Sequence, residues 1–418
     1  MQQQKLVVIG AGAAGFFCAV NAASQSCGPE VILVEKSNKL LSKVRISGGG
    51  RCNVTHACFS IAEMIKKYPR GEKFLKKAFH HFFTRDTIAW FEKRNVRLIT
   101  EADGRMFPET NSSETIIDCL LQEANRSHVQ ILMNRHIVKI ERISTGSQGS
   151  YFQLHSGDGG VLEADLVCIA CGGYPKLEQY TWLTKLGHSI HNPVPSLFTF
   201  NVPNNSISAL MGISVENVQV KINGTKFSQS GPILITHWGF SGPAVLKLSA
   251  FAAKELEKVK YDFSISINWL GSYHENSLLE KLRFVRNERG AKKLVNKNPF
   301  DLPQRLWEYH LRQCGISVEI RWADLPAKQQ NLLAKQLCAQ QFEVKGKTTF
   351  KEEFVTAGGI DLNEIDPATM ESKIIPNLYF AGEILDIDGI TGGFNFQHAW
   401  TSGWIAAKEI VRNCKQAE

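Results

Sequence analysis

The sequence predicts an α/β protein with a dinucleotide-binding unit at its start and a β-rich and then a helical segment set into its middle. Three observations predict this. Lys5 to Lys36 reads as strand, glycine turn, helix and strand. Two later apolar strands end in short glycine turns, A-C-G-G at 170–173 and A-G-E at 381–383. Between them, after Pro193, short strands alternate with glycine and proline turns, and leucines at helical spacing follow.

In the first stretch, Leu6 to Ile9 are a β-branched apolar run suited to a buried parallel strand. Gly10, Gly12 and Gly15 then form G-x-G-x-x-G. Gly10 permits the tight turn, Gly12 lets backbone approach a pyrophosphate, and Gly15 lets the helix pack on the sheet. Ala13 and Ala14 sit in the first helical turn, where free N–H groups and the helix dipole favour phosphate. Val31 to Val34 form the second strand, and Glu35 at its end is placed to accept adenosine ribose hydroxyls, with Lys36 beside it. The alternative is a glycine-rich turn with no ligand.

Lys43 to Thr55 follows as K-V-R-I-S-G-G-G-R-C-N-V-T. Gly48, Gly49 and Gly50 in a β-region context suggest close backbone approach to something flat or charged. Ser47, Arg51, Cys52 and Asn53 supply polar groups around them. The alternative is a flexible loop.

Ile61 to Lys93 reads as helical. Its phenylalanines and Trp90 form an apolar stripe, while Lys66, Lys67, Arg70, Lys73, Lys76 and Lys77 form either a solvated face or a nucleic-acid patch. Val96 to Thr100 is expected as a strand, 103–108 as a turn holding Arg105, 113–127 as a helix, and 130–142 and 151–155 as strands. The second basic cluster, Lys281 to Lys297, lies in the helical segment 277–339. Near the end, Asn377 to Leu385 reads as a buried strand, and Ala399 to Arg412 as the closing helix behind Gly392 and Gly393.

At 418 residues, 43% hydrophobic and 21% charged, the chain has the composition of a globular protein with two or three domains. Glycines interrupt the apolar run at 6–20, which argues against a signal peptide. No uninterrupted apolar stretch reaches membrane-spanning length. Ten scattered cysteines fit a reducing cytoplasm. Cys168 and Cys171 form C-x-x-C inside an apolar strand, which favours core packing over a redox or metal pair, and no metal site is expected. The net charge of +8 permits an anionic partner.

With these pieces in hand, the chain resembles the YhiN/BaiN-like NAD(P)/FAD-dependent oxidoreductases of bacteria, relatives of the glutathione-reductase class. The resemblance covers essentially the whole chain. It rests on G-A-G-A-A-G at 10–15, S-G-G-G-R-C-N at 47–53, G-R-M-F-P at 104–108, T-H-W-G-F-S-G-P at 236–243, T-A-G-G-I at 356–360 and A-G-E-I-L-D-I-D-G-I-T-G-G-F-N at 381–395. Leu41-Ser42 stands where Gly-Arg is expected, and His56 where asparagine is common. The resemblance implies a two-dinucleotide-fold FAD domain made from 1–192 and 351–418. It also implies a β-barrel-like insert at 193–275, closed by a strand near 340–350, and a small helical insert at 276–339. Further candidate cofactor contacts are Val138, Ala170, Gly172, Gly173, Gly382, Glu383, Asp388, Phe394 and Asn395.

Some members of the family look like dihydrouridine synthases of large-subunit ribosomal RNA, and others are linked to bile-acid intermediates. The first expectation is therefore reduction of a uridine C5–C6 double bond in ribosomal RNA, with FAD bound and NAD(P)H as reductant. The alternative is reduction of a small hydrophobic enone. A disulfide reductase of this class needs C-x4-C, whereas Cys52 and Cys58 have five residues between them. A non-catalytic flavin-binding protein is the fourth reading. No second G-x-G-x-x-G exists to house a nicotinamide. Cys52 is the first candidate proton donor, with packing under the cofactor as its alternative. His237 is the second, and His398 stands behind it.

Overall fold

The computed structural model describes residues 3–25, 27–145, 149–296, 298–349 and 355–416. Lys297 of the second basic cluster and residues 350–354 lie outside them. The chain divides into two compact units, Met1–Pro195 with Lys351–Glu418, and Ser196–Phe350.

The first unit is built on a five-stranded parallel sheet. Its order is Leu378–Phe380, Leu166–Ile169, Lys5–Ile9, Glu30–Val34, Gln130–Leu132. Residues 6–9, 31–34 and 166–169 are buried throughout, as strands covered on both faces require. The helix Ala13–Ala23 packs against the last helix, Phe394–Gln416, at very short range: a β-carbon at Gly403 would lie 2.6 Å from Ala14 O. The aromatic stripe is core. Phe17 meets Phe82, Trp90, Phe91 and Trp400 at centroid distances of 4.6–6.5 Å.

Four local expectations change. Arg105–Pro108 is a strand, central to a small sheet with Thr55–His56 and Leu98–Thr100, so the turn is confined to the residues before it. The stretch 130–142 is two strands in different sheets, Gln130–Leu132 and Ile137–Ser144. Gly48–Gly50 are not in a β context. They have φ of +60°, +70° and +84° and end the helical segment Ser42–Gly50 in a left-handed turn that favours glycine. The last helix begins at Phe394 rather than Ala399, because the positive φ of Gly392 and Gly393 turns the chain sharply just ahead of it.

The second unit carries a seven-stranded antiparallel sheet. Its outermost strands, Gln340–Lys345 and Lys347–Thr348, are consecutive in the chain around Gly346. The helices Glu275–Arg289, Gln304–Gln313 and Ala327–Ala339 do not form a core of their own. Leu282, Trp307, Trp322 and Leu337 join Phe240, Ile265, Trp269 and Phe342 of the sheet region in one hydrophobic cluster. Among the described residues, no helix is long and apolar enough to cross a membrane.

Candidate functional site

Three turns of the first unit leave the carboxyl ends of neighbouring parallel strands: Gly10–Gly12, Ala170–Gly173 and Ala381–Glu383. In open α/β sheets this edge is where ligands bind. The turns pack tightly on one another. A β-carbon at Gly10 would lie 2.5 Å from Cys171 Cα, and one at Gly382 would lie 2.7 Å from Ala14 Cβ. At Gly15 it would fall 1.8 Å from Gly10 O, so this glycine is needed for packing. Gly12, Gly49, Gly50 and Gly172 are the opposite case, since a β-carbon there would meet no atom within 4 Å.

Glu35 fixes the first turn. Its carboxylate accepts the N–H of Ala11 at 3.0 Å and the N–H and hydroxyl of Ser37 at 2.9 Å each. A carboxylate has about four acceptor positions, so these three donors leave roughly one for a ribose hydroxyl. Lys36 Nζ lies 5.5 Å from the centre of the Tyr174 ring, whose hydroxyl donates to Cys171 Sγ at 3.3 Å. The segment before the triple glycine is tied to the first turn by Leu41 N–H to Ala11 O at 2.9 Å. Leu41 has φ +54°, the region in which the glycine of the resembling pattern would be unstrained. Lys43 pairs with Glu383 at 2.6 Å, and Glu383 also accepts the N–H of Thr356 at 2.9 Å.

Arg51 braces the glycine turn. Its Nε donates to Gly48 O at 3.2 Å, its Nη1 pairs with Glu101 at 2.7 Å, and its guanidinium lies 4.0 Å over Phe107. Ser47 Oγ donates to Val44 O at 3.0 Å. Asn53 is buried, and its carboxamide is best oriented donating to Thr55 O and accepting the N–H of Gly393, both at 3.0 Å. A β-carbon at Gly393 would fall 2.5 Å from Thr55 O. Asn395 closes the last loop by bonding both backbone groups of Gly389, at 2.7 and 2.9 Å. The ring of Phe394 stacks on His56 with centroids 4.8 Å apart.

Five further expected site residues are placed as follows. Cys52 is fully buried, and burial pushes its thiol up to about 12, which suits packing and not proton transfer to an outside substrate. Asp388 is buried in a two-point ion pair with Arg70, so Arg70 leaves the solvated basic face and Asp388 acquires a structural partner. Val138 is exposed on the antiparallel strand Ile137–Ser144. His237 lies exposed in the second unit on the turn before Gly239–Ser241, its ring edge-on to Trp238. His398 is buried, and its Nε2–H donates to Gly382 O at 3.1 Å. Burial lowers its pKa to about 4, so it is neutral.

A family model described as HI0933-like protein Rossmann domain matches residues 4–409. The chain belongs to this family. It is an FAD-dependent oxidoreductase with a Rossmann-like FAD-binding domain. It is 30% identical to the ribosomal RNA dihydrouridine synthase of Escherichia coli strain K12, over 98% of this chain and 99% of the relative. It is 25% identical to the 3-dehydro-bile acid delta(4,6)-reductase of Clostridium scindens, over 97% of this chain and 98% of the relative. Among solved structures it shares its fold with 3-ketosteroid delta1-dehydrogenase of Sterolibacterium denitrificans, at TM-score 0.51 and 12% identity, covering 98% of this chain and 100% of that one.

The residues present fit FAD. The helix Ala13–Ala23 has no side-chain cap and no acid in its first turn, so its leading N–H groups are left for a phosphate. The four open glycines offer bare backbone where a side chain would otherwise stand. Sequence reasoning missed the residues that hold these turns. Gln397 accepts from Thr55 and Thr87 at 2.6 and 3.1 Å, and Trp400 donates to Val54 O at 2.9 Å. The only sequence signal for them was polarity within an apolar helix.

Proposed function

We propose that the protein reduces the C5–C6 double bond of a uridine in large-subunit ribosomal RNA to dihydrouridine, with FAD bound in the first unit and NAD(P)H as reductant. The observation that carries the reading is the end-to-end match, at 30% identity, to a ribosomal RNA dihydrouridine synthase. Lys66, Lys73, Lys76, Lys77, His80, His81 and Arg85 are exposed in the first unit, and Arg283 and Lys292 in the second, which suits a polyanionic substrate.

When bound and reduced by NAD(P)H, the flavin would supply the hydride that the double bond receives at C6. The chain's residues do the rest. The first turn of Ala13–Ala23 holds the pyrophosphate, Glu35 a ribose hydroxyl, and Gly49, Gly50, Gly172 and the Gly392–Gly393 turn let backbone approach the cofactor. A base stacked in RNA must be splayed out to reach such a site. C5 then needs a proton. Cys52 is enclosed, His398 is buried and neutral, and His237 is exposed, so we assign the proton to His237.

Nucleoside analysis of ribosomal RNA from cells lacking the protein tests the reading. The expected result is loss of one dihydrouridine, restored by the wild-type gene. Unchanged dihydrouridine, with efficient reduction of a small enone by the purified enzyme, would replace this reading with the one suggested by the bile-acid relative.

A further inference from the structure

The helical part of the second unit contains a hollow of about 360 Å³ that the reduction chemistry does not use. Its wall includes Arg289, Lys292, Lys293, Asn296, Arg321 and Trp322. Backbone bonds hold the two cationic segments to each other. Residues 293 and 321 form an antiparallel bridge, Leu294 N–H donates to Ile320 O at 3.1 Å, and Trp322 N–H donates to Lys292 O at 3.0 Å. The two segments are therefore held together by ordered backbone, with Lys292 and Arg321 exposed on it and Arg289 and Lys293 half-buried.

Charge is only partly balanced there. Lys293 pairs with Glu319, and Glu288 stands 3.9 Å from Arg289 Nε. Among the described residues, no carboxylate pairs with Lys292 or Arg321. Two buried donors of the residues that line it also have no acceptor: the indole N–H of Trp322, a residue 1% exposed, and Nη1 of Arg289. An indole N–H can only donate, and a buried donor without an acceptor is costly enough to be rare. Excess positive charge and unmet donors on one wall call for the same thing, an oxyanion.

We infer that this hollow binds a phosphate group, and that in the working enzyme the group is a backbone phosphodiester of the RNA. The site itself stands on the geometry, while the source of the phosphate rests on the proposed function. Arg289 and Arg321 would grip phosphate oxygens with guanidinium forks, Lys292 would add charge, and Trp322 would donate to one oxygen.

The test uses the FAD-loaded full chain labelled with 15N-tryptophan, the Trp322 indole signal being assigned with Trp322→Phe. Titration with inorganic phosphate is expected to shift that signal, and Arg289→Gln/Arg321→Gln to abolish the shift with the flavin spectrum intact. The same double variant is expected to lower affinity for a ribosomal RNA fragment by roughly tenfold and to flatten its salt dependence. A Trp322 signal unmoved by both phosphate and RNA overturns the site. A signal that answers phosphate, with RNA affinity identical in wild type and variant, overturns the assignment to RNA and leaves a site for free phosphate. If ribosomal RNA from deletion cells keeps all its dihydrouridine while the phosphate shift persists, the substrate reading fails and the site survives.

Discussion

The carboxylate of Glu35 accepts the backbone N–H of Ala11 at 3.0 Å, so the acid ending the second strand and the glycine turn ending the first are held as one piece. Glu35→Gln must turn an NH2 group toward either Ala11 N–H or the donors of Ser37, and it removes the charge that strengthens a ribose hydrogen bond. Bonds to charged groups are worth about 1.5–3 kcal/mol, so the FAD dissociation constant should rise by roughly tenfold to a hundredfold. Flavin fluorescence titration of apoprotein measures it, and an unchanged constant would remove Glu35 from the cofactor site.

Gly12 and Gly15 belong to one motif but should fail differently. A β-carbon at Gly15 would overlap Gly10 O at 1.8 Å, whereas one at Gly12 meets no protein atom within 4 Å. Gly12 also has φ −91°, which any residue tolerates. Gly12→Val should therefore leave the thermal midpoint of apoprotein within a few degrees while abolishing FAD binding. Gly15→Val should not fold. Retention of FAD by Gly12→Val would show that the open side of the turn faces solvent.

The difference between these glycines shows what was legible in the sequence. The parallel sheet was readable because 6–9, 31–34 and 166–169 are short apolar runs rich in β-branched residues, and each strand declares its own burial. The turns were readable as glycines, but not which stand open and which pack. That depends on partners such as Ala170 and Cys171, far away in sequence. Thr55 and Gln397 bond at a separation of 342 positions, and Arg70 and Asp388 at 318. No local period announces such pairs, so Arg70 read as one more surface cation. Periodicity likewise identifies an apolar helix face but not that the face covers a sheet in the same unit.

Acid should destabilise the protein through buried neutral histidines. Burial lowers His398 to about 4 and His310 to about 3, against about 6.5 for histidine in an unfolded chain. Below pH 6.5 the unfolded chain takes up protons that the folded one refuses. The stabilising contribution is therefore complete above pH 6.5 and is lost as pH falls toward 4, at up to about 1.4 kcal/mol per pH unit for each histidine. Chemical denaturation of the second unit between pH 4 and 7 should show this slope, and His310→Leu should flatten it. An equally steep curve in the variant would place the acid sensitivity elsewhere.

Cys52 and His237 separate the two accounts of the proton at C5. Cys52 is enclosed, its thiol held at about 12 by burial, and its φ of +60° makes it a turn residue. Cys52→Ala removes a sulfur from packing and leaves the backbone and its hydrogen bond to Ser47 O in place. Turnover at saturating substrate should stay within about threefold of wild type. His237→Gln should keep the flavin spectrum yet lower turnover by about 10²–10⁴, the usual contribution of a general acid. Single-turnover reoxidation of the reduced enzyme by substrate measures both variants. A His237→Gln enzyme with full activity, beside a Cys52→Ala enzyme that binds FAD but no longer turns over, would return the proton to the thiol and require the segment around Cys52 to open during catalysis.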